Sequence, residues 1–527
     1  MMNPAISRRR MLRNAVVGLT GAAGLAALAA CGETQVVTVE KIVEKEVPVE
    51  RVVEKEVPVE RVVEKVVKEE VAVETVVEKV ITREVQVMVE AQPEQRTVKL
   101  EYATDHTSGP RGKAMQWAIE RWEQLRPDVK IKFIPQDHIF YEKIAVEVAA
   151  DTLSEINLLS GHSYGQFLSA GAWLEANDIL AKKDGFVPED YLFSPDEHSD
   201  NRDQNNYGKW NKVMNGPNHG MMYQGGLNGL LYNIDAVAAA GANEPWDGMR
   251  YDDLLEEMKK VTDHEQGIWG SDASLSTAFN CALGYNDSQR RVMGPEGHQV
   301  DGYFIGEGWR GLQWVTDLMF EHQVAYRPEQ RAEISGEIGS PFAAGKQVFW
   351  WGGRFRTVGF AIPRIADRFR WSLAPLVWGN VTDHPNVEYG DQPNIFAASA
   401  AVTGVEVQTV DFGVYLAGPE VQGRVGIDRG HQPVHHDVKN QPDAVAPPPE
   451  GMHYLYAGYD SPYLRHSQWY VPGGPTMLEL LQVEGPLLGK ALTGEATATE
   501  AIEEATNATS AIMKRWQERL DRGDVER

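Results

Sequence analysis

Residues Thr97 to Ser160 read TVKLEYATDHTSGPRGKAMQWAIERWEQLRPDVKIKFIPQDHIFYEKIAVEVAADTLSEINLLS. The segment Thr97–Ala103 alternates apolar and polar residues, which is the period of a strand. From Gly112 to Arg126 the period lengthens. Met115, Ala118, Ile119, Trp122 and Leu125 fall on one face of an amphipathic helix, and Pro127 stops it. Val129–Pro135 reads as a second strand, Ile139–Ala150 as a second helix and Ile156–Ser160 as a third, short strand. Strands that alternate with helices imply an α/β architecture, with a largely parallel sheet covered on both faces. Ligands of such sheets lie at the carboxyl ends of the strands. The loops Thr104–Gly109, Pro135–His138 and Ser160–Tyr164 are therefore the ones to watch.

Working outward toward the amino terminus, the composition changes sharply. Val39–Pro48 reads VEKIVEKEVP, Val49–Pro58 reads VERVVEKEVP, and Val59 begins a third copy. Neither glycine nor an aromatic residue occurs from Glu33 to Glu90, so this segment cannot build a globular core. Beyond Pro58 the prolines stop, and Val59, Val66, Val73 and Val80 recur every seven residues, a spacing that permits a coiled-coil helix. The prolines of the first half favour extended structure. Residues 31–96 are read as a low-complexity linker or stalk, helical or extended. Residues 1–30 read as an export signal. The run Ser7-Arg8-Arg9-Arg10 precedes an uncharged apolar core, Ala15–Ala30, that ends at Leu28-Ala29-Ala30-Cys31. That core is short for a spanning helix, which needs about twenty residues. The paired arginines resemble a twin-arginine (Tat) signal, and Leu28–Cys31 resembles the lipobox of bacterial lipoproteins. The resemblance implies lipidation at Cys31 and a chain held on the outer face of the cell membrane by its lipid.

The chain has 527 residues, 42% of them apolar and 9% aromatic, ample material for a core of two or three lobes. Its formal net charge is −25, and removal of the signal arginines makes it more acidic still. A phosphate backbone needs clustered Lys and Arg, so nucleic acid is not expected as a partner. Cys281 is the only cysteine besides Cys31, which leaves no disulfide framework. Its setting reads as a buried structural thiol.

Within the body, several stretches in order resemble the extracellular solute-binding proteins of ABC importers, in the carbohydrate-binding family that includes the maltose-binding proteins. They are Glu123–Ile131, Gly171–Glu175, Gly229–Asp235, Ala240–Ala242, Tyr251–Leu254, Phe342–Lys346, Trp371–Leu376, Thr493–Thr497 and Ala501–Ala505. The chain departs from the pattern at Trp246–Met249. Asp184–Pro217 and Val381–Pro393 look like insertions, and Gly352-Gly353-Arg354 stands where sugar binders often carry tryptophan. The resemblance implies a two-lobe, type II periplasmic-binding-protein-like fold with a hinge, occupying 97–527. Lobe 1 is expected over about 97–225 and 355–420, and lobe 2 over about 226–354 and 421–527. It further implies a non-enzymatic protein that captures a small solute, most simply a sugar or oligosaccharide, by hinge closure and delivers it to the membrane subunits of an ABC permease.

Sugar capture needs flat apolar faces for ring C–H groups and oriented donors and acceptors for hydroxyls. Asp105 and His106 follow the first strand, and His162 and Tyr164 follow the third. Tyr223 and Gln224 precede the first lobe crossing, where they touch ligand or line the hinge. Trp351 and Arg354 flank the Gly352-Gly353 pair, and Trp469 precedes Pro472-Gly473-Gly474. Strand alternation lets only one of Trp350 and Trp351 face a cleft. The run His431, His435, His436, Asp437 does not match a common zinc spacing, and neither a metal nor a cofactor is expected. A tethered glycoside hydrolase is the rival from another class; it needs two carboxylates about 5–10 Å apart across a cleft, and a turnover assay on oligosaccharides discriminates it. A structural surface lipoprotein is a further rival, and stoichiometric binding of a small ligand would argue against it.

Overall fold

The computed structural model describes residues 97–522, apart from 137–140, 160–166, 168–169, 188–189, 192–217, 276, 279–291, 294–299, 303–308, 354–356, 358–361, 381–384, 386, 429, 440, 448, 458–463 and 467–476. The export signal, Cys31, the stalk and Cys281 lie outside the described residues. Among the described residues no helix is long and apolar enough to cross a membrane.

The opening βαβαβ reading is what forms. Strand β1 (Val98–Thr104) pairs in parallel with β2 (Val129–Pro135) and with β3 (Ile156–Leu158). The first helix, Gly109–Leu125, turns Ala114, Met115, Ala118, Ile119 and Trp122 inward. Leu125 closes the sequence stripe but stands exposed. Pro110 sits in the first turn, where a missing N–H costs nothing.

Strand β4 (Gly220–Asn233) decides the architecture, because it serves two sheets. Its first half pairs antiparallel with β11 (Val387–Phe396), from Gly220 opposite Ile395 to Leu227 opposite Tyr389. Its second half pairs antiparallel with β9 (Phe349–Gly353), from Asn228 opposite Gly353 to Tyr232 opposite Phe349. On its other edge, Leu231–Asn233 meets β10 (Trp371–Leu373). Strand β5 (Ser271–Asp272) runs parallel to β8 (Ala325–Tyr326). It is stitched to the β9 side by a parallel bridge between Trp269 and Gln347. Two short strands, β6 (Val292–Met293) and β7 (Val300–Gly302), pair with each other, and β12 (Leu464–His466) runs parallel to the start of β11.

The first sheet therefore has the order β2-β1-β3-β11-β4 and the second β8-β5-β9-β4-β10. In each, two parallel pairings are followed by two antiparallel ones. In each, the fourth strand arrives from, or leaves for, the other sheet. The molecule thus consists of two lobes joined by long crossing strands. The return crossing is β11 itself, so the pairing places it downstream of the boundary expected near 355. Val387–Pro393, the later part of the segment that looks like an insertion, belongs to this strand. Pro393 interrupts the periodicity there, yet Val387–Phe396 is a central strand whose ladder shifts register at Gln392/Pro393; proline gives no N–H to a ladder.

Among the described residues, the buried apolar side chains form three clusters; the one that packs the second lobe's helices also takes in Leu159, Trp173 and Ile395 beside the first sheet. In the first lobe, Tyr102, Met115 and Trp122 pack against Phe412, Leu416 and Val421 of helices Glu406–Ala417 and Pro419–Ile427. In the second lobe, helix Tyr251–Val261 and helix Arg310–Phe320 pack with the closing pair Met477–Thr493 and Ala498–Asp521. Between them the chain from His431 to Ala457 makes a further crossing. Gln432 bridges Gly225 on the outer edge of β4 and His435 bridges Tyr191. Gly451 then donates to Ser372 Oγ (2.9 Å) beside helix Met452–Ala457 on β4 and β10.

Candidate functional site

Because β4 is antiparallel to β11, and β11 is antiparallel to β3, the first half of β4 points the same way as β1. The carboxyl end of β1 and the middle of β4 therefore lie at one end of the first sheet, the end at which ligands of such sheets are held. Polar residues gather there.

Beyond Thr104, Asp105 lies with Oδ1 3.8 Å from His106 Nε2 and Oδ2 3.5 Å from Arg111 Nη1. The turn is tight: the His106 amide donates to Thr104 Oγ1 (3.1 Å), and a Cβ added at Gly112 would meet the Thr107 backbone at 2.7 Å. Glycine is what lets the first helix begin so close to the strand end. The His106 ring stands 5.5 Å from that of Tyr223 and 5.6 Å from that of His431, and Tyr223 and His431 are 4.7 Å apart, edge to face. All three side chains are buried.

The electrostatics follow from this burial. Desolvation pushes the Tyr223 phenol far above its ordinary value, although Arg111 pulls in the opposite direction. Burial likewise raises Tyr102, whose hydroxyl donates to Asn394 Oδ1 (2.9 Å). Burial depresses the Arg111 guanidinium, and Asp105 partly restores it. Both phenols stay neutral and able to donate. The Tyr223 hydroxyl is buried with no hydrogen-bond partner among the described residues.

Across the same end of the sheet, Gln224 stands directly opposite Gln392 in the β4–β11 register. Each has a buried Oε1 without a hydrogen-bond donor among the described residues. At the end of β2, Gln136 accepts from Lys143 Nζ (3.0 Å). The row offers a carboxylate, a guanidinium, phenol and amide groups and flat rings. That set suits a ligand dense in hydroxyls. Among the described residues no group of three or more His, Cys, Asp or Glu side chains gathers to hold a metal ion. His431 and His435 point into different surroundings: His435 edges against Tyr191 at 5.1 Å.

Of the residues expected from sequence, Asp105, His106 and Tyr223 come together here; Gln224, the next residue of β4, lies at the same end of the sheet but leaves it on the opposite face, with Gln392. Trp351 does not join them: its ring sits in the second-lobe core, 5.8 Å from Tyr251, and is 6% exposed. Trp350, on the other face of β9, packs 5.5 Å from Phe342 in a separate cluster. Both faces of β9 are covered, so the alternation argument places neither tryptophan in a cleft. His162, Tyr164, Arg354 and Trp469 lie outside the described residues. Sequence reasoning missed Arg111, Gln392 and His431, which lie at this end of the sheet, as candidates. The first sits one turn into a helix, the second was assigned to an insertion, and the third was weighed only as a metal ligand.

No family model matches the sequence, and no curated protein matches it. The fold does have solved likenesses. An ABC substrate-binding protein of Listeria monocytogenes in complex with cycloalternan superposes with a TM-score of 0.65 at 16% identity, over 79% of this chain and 99% of that one. The cyclic α-maltosyl-1,6-maltose binding protein of Arthrobacter globiformis gives 0.60 at 17% identity, over 80% and 100%. A solute-binding protein of Thermotoga lettingae bound with α-D-tagatose gives 0.59 at 18% identity, over 79% and 100%. At these identities the likeness establishes the two-lobe fold.

Proposed function

We propose that the chain is an extracytoplasmic binding protein that captures a sugar or oligosaccharide by hinge closure and delivers it to an ABC permease, without covalent chemistry. The observation that carries this reading is the placement of the polar row. Asp105, His106, Tyr223 and Gln224 lie at the carboxyl ends of one lobe's strands, two of them on the very strand that continues into the other lobe. A ligand held there touches both lobes only when they close, and that differential contact drives closure. The similar structures named above hold, or are named for, cycloalternan, cyclic α-maltosyl-1,6-maltose and α-D-tagatose, and the donor–acceptor chemistry of this row suits the same class of ligand. Retention at the membrane through a lipid on Cys31, with the repeat stalk as spacer, is supported by the order of the paired arginines, the apolar core and Leu28–Cys31.

A thermal-shift series with cycloalternan, maltotriose, tagatose and sugar acids tests the capture. A ligand at 100 times its Kd stabilises the native state by about 2.7 kcal/mol, so a true ligand raises Tm by several degrees. A panel with no shift argues against sugar. The anchor has its own test: incorporation of labelled fatty acid in the export-competent full chain, lost in Cys31→Ser. Label retained in that variant removes Cys31 as the attachment point.

A further inference from the structure

We propose that Gln392 and Gln224 form an amide pair that accepts hydrogen bonds from neighbouring hydroxyls of a neutral sugar ring and so selects uncharged sugars over sugar acids. This rests on the capture reading above and names how the same site chooses within that class. The two residues are direct partners in the antiparallel β4–β11 ladder, so their side chains leave the sheet on the same face. Directly opposed residues hold their Cβ atoms about 4.5–5.5 Å apart. The register breaks immediately after Gln392, at Pro393, and such irregularities beside a site re-aim a side chain. Gln392 is 7% exposed, yet its Oε1, like that of Gln224, has no donor among the described residues.

A buried carbonyl oxygen without a donor destabilises a fold, and two directly opposed side chains carry one each. The fold holds this pair at the strand that crosses between lobes, where a ligand is gripped. What relieves it is a group that brings two protons. Adjacent hydroxyls on one sugar ring do so; a carboxylate brings none and meets two negative dipole ends.

The test is titration calorimetry on the mature chain, with cycloalternan, maltotriose and tagatose as neutral probes and glucuronate and galacturonate as acidic ones. Gln392→Met keeps the length of the side chain and removes the amide; Gln224→Met does so from the opposite strand and serves if the first variant fails to fold. The expected result is a neutral probe that binds, acidic probes that do not, and at least tenfold weaker binding of the neutral probe in either variant. The Tm of the unliganded variants should equal or exceed the parent's, because an unmet carbonyl has been removed. A purely structural role predicts the reverse, a lower unliganded Tm with affinity intact, and that result overturns the amide pair while leaving sugar capture standing. Tighter binding of a sugar acid than of any neutral probe overturns it as well. If no sugar binds the parent chain, the capture reading and the amide pair fall together.

Discussion

Tyr223 is buried for packing, yet it keeps a polar group that the packing does not use. Its ring packs against His106 and His431, and its backbone carbonyl accepts from Gln422 Nε2 (3.0 Å), but among the described residues its hydroxyl has no hydrogen-bond partner. Removing a hydroxyl that makes no bond costs the fold little. Tyr223→Phe should therefore leave chemical-denaturation stability within about 0.5 kcal/mol of the parent while weakening capture of the sugar identified by thermal shift. Equal affinity in the variant would confine Tyr223 to packing. Trp351 behaves oppositely. Its ring fills the second-lobe core beside Tyr251, itself edge to face with Trp314 at 5.3 Å. Trp351→Ala should cost about 3–5 kcal/mol, read from the urea midpoint; a loss under about 1 kcal/mol would contradict a core position.

The element on which the fold turns is β4, and its critical point is the step from Leu227 to Asn228, where one ladder ends and the other begins. At the first-lobe edge its backbone would lie open if nothing covered it. Gln432 covers it. Its Oε1 accepts from the Leu227 amide and its Nε2 donates to the Leu455 carbonyl (3.0 Å), while all three residues are buried. Gln422 does similar work upstream, holding the Tyr223 carbonyl and accepting from the Val434 amide (2.9 Å). Gln432→Leu preserves shape and strands two backbone groups. A loss of about 2–4 kcal/mol is expected, together with faster hydrogen exchange at the Leu227 amide. Unchanged exchange at Leu227 would show that the side-chain bond does not guard the switch point.

At the scale of the whole molecule, the lobes repeat one strand order and exchange their fourth strands, which ties their motion to those strands. The same buried architecture fixes the response to pH. Burial lowers the pKa of His219, whose Nδ1 lies 2.9 Å from the Leu174 carbonyl, and of His435. For such a group the unfolded chain binds the proton more readily. Stability is then fully present above about pH 6.5 and falls as the pH drops below it. At the alkaline end, burial raises Tyr102, Tyr223, Tyr232 and Tyr415 and pushes Tyr191 up to about 12. Here the folded chain keeps the proton longer, so stability holds below about pH 10 and declines above it. Tm measured from pH 5 to 11 should form a plateau with both shoulders. His219→Gln should blunt the acid shoulder; an identical acid slope in that variant would remove His219 from the account.

The sequence by itself determined the local pieces: the first β-α-β-α-β run and the polar loop that follows β1. Those signals are periodicities of two and 3.6 and loop positions, written over a few neighbouring residues. Only the tertiary structure decided which strand passes between sheets. It also decided that Val387–Phe396 is central despite Pro393, that Trp350 and Trp351 both lie in cores, and that Gln392 faces Gln224 and His431 meets His106. Each of these depends on contacts between residues distant along the chain, and the pairing of β-strands is fixed by partners whose identity no local window contains.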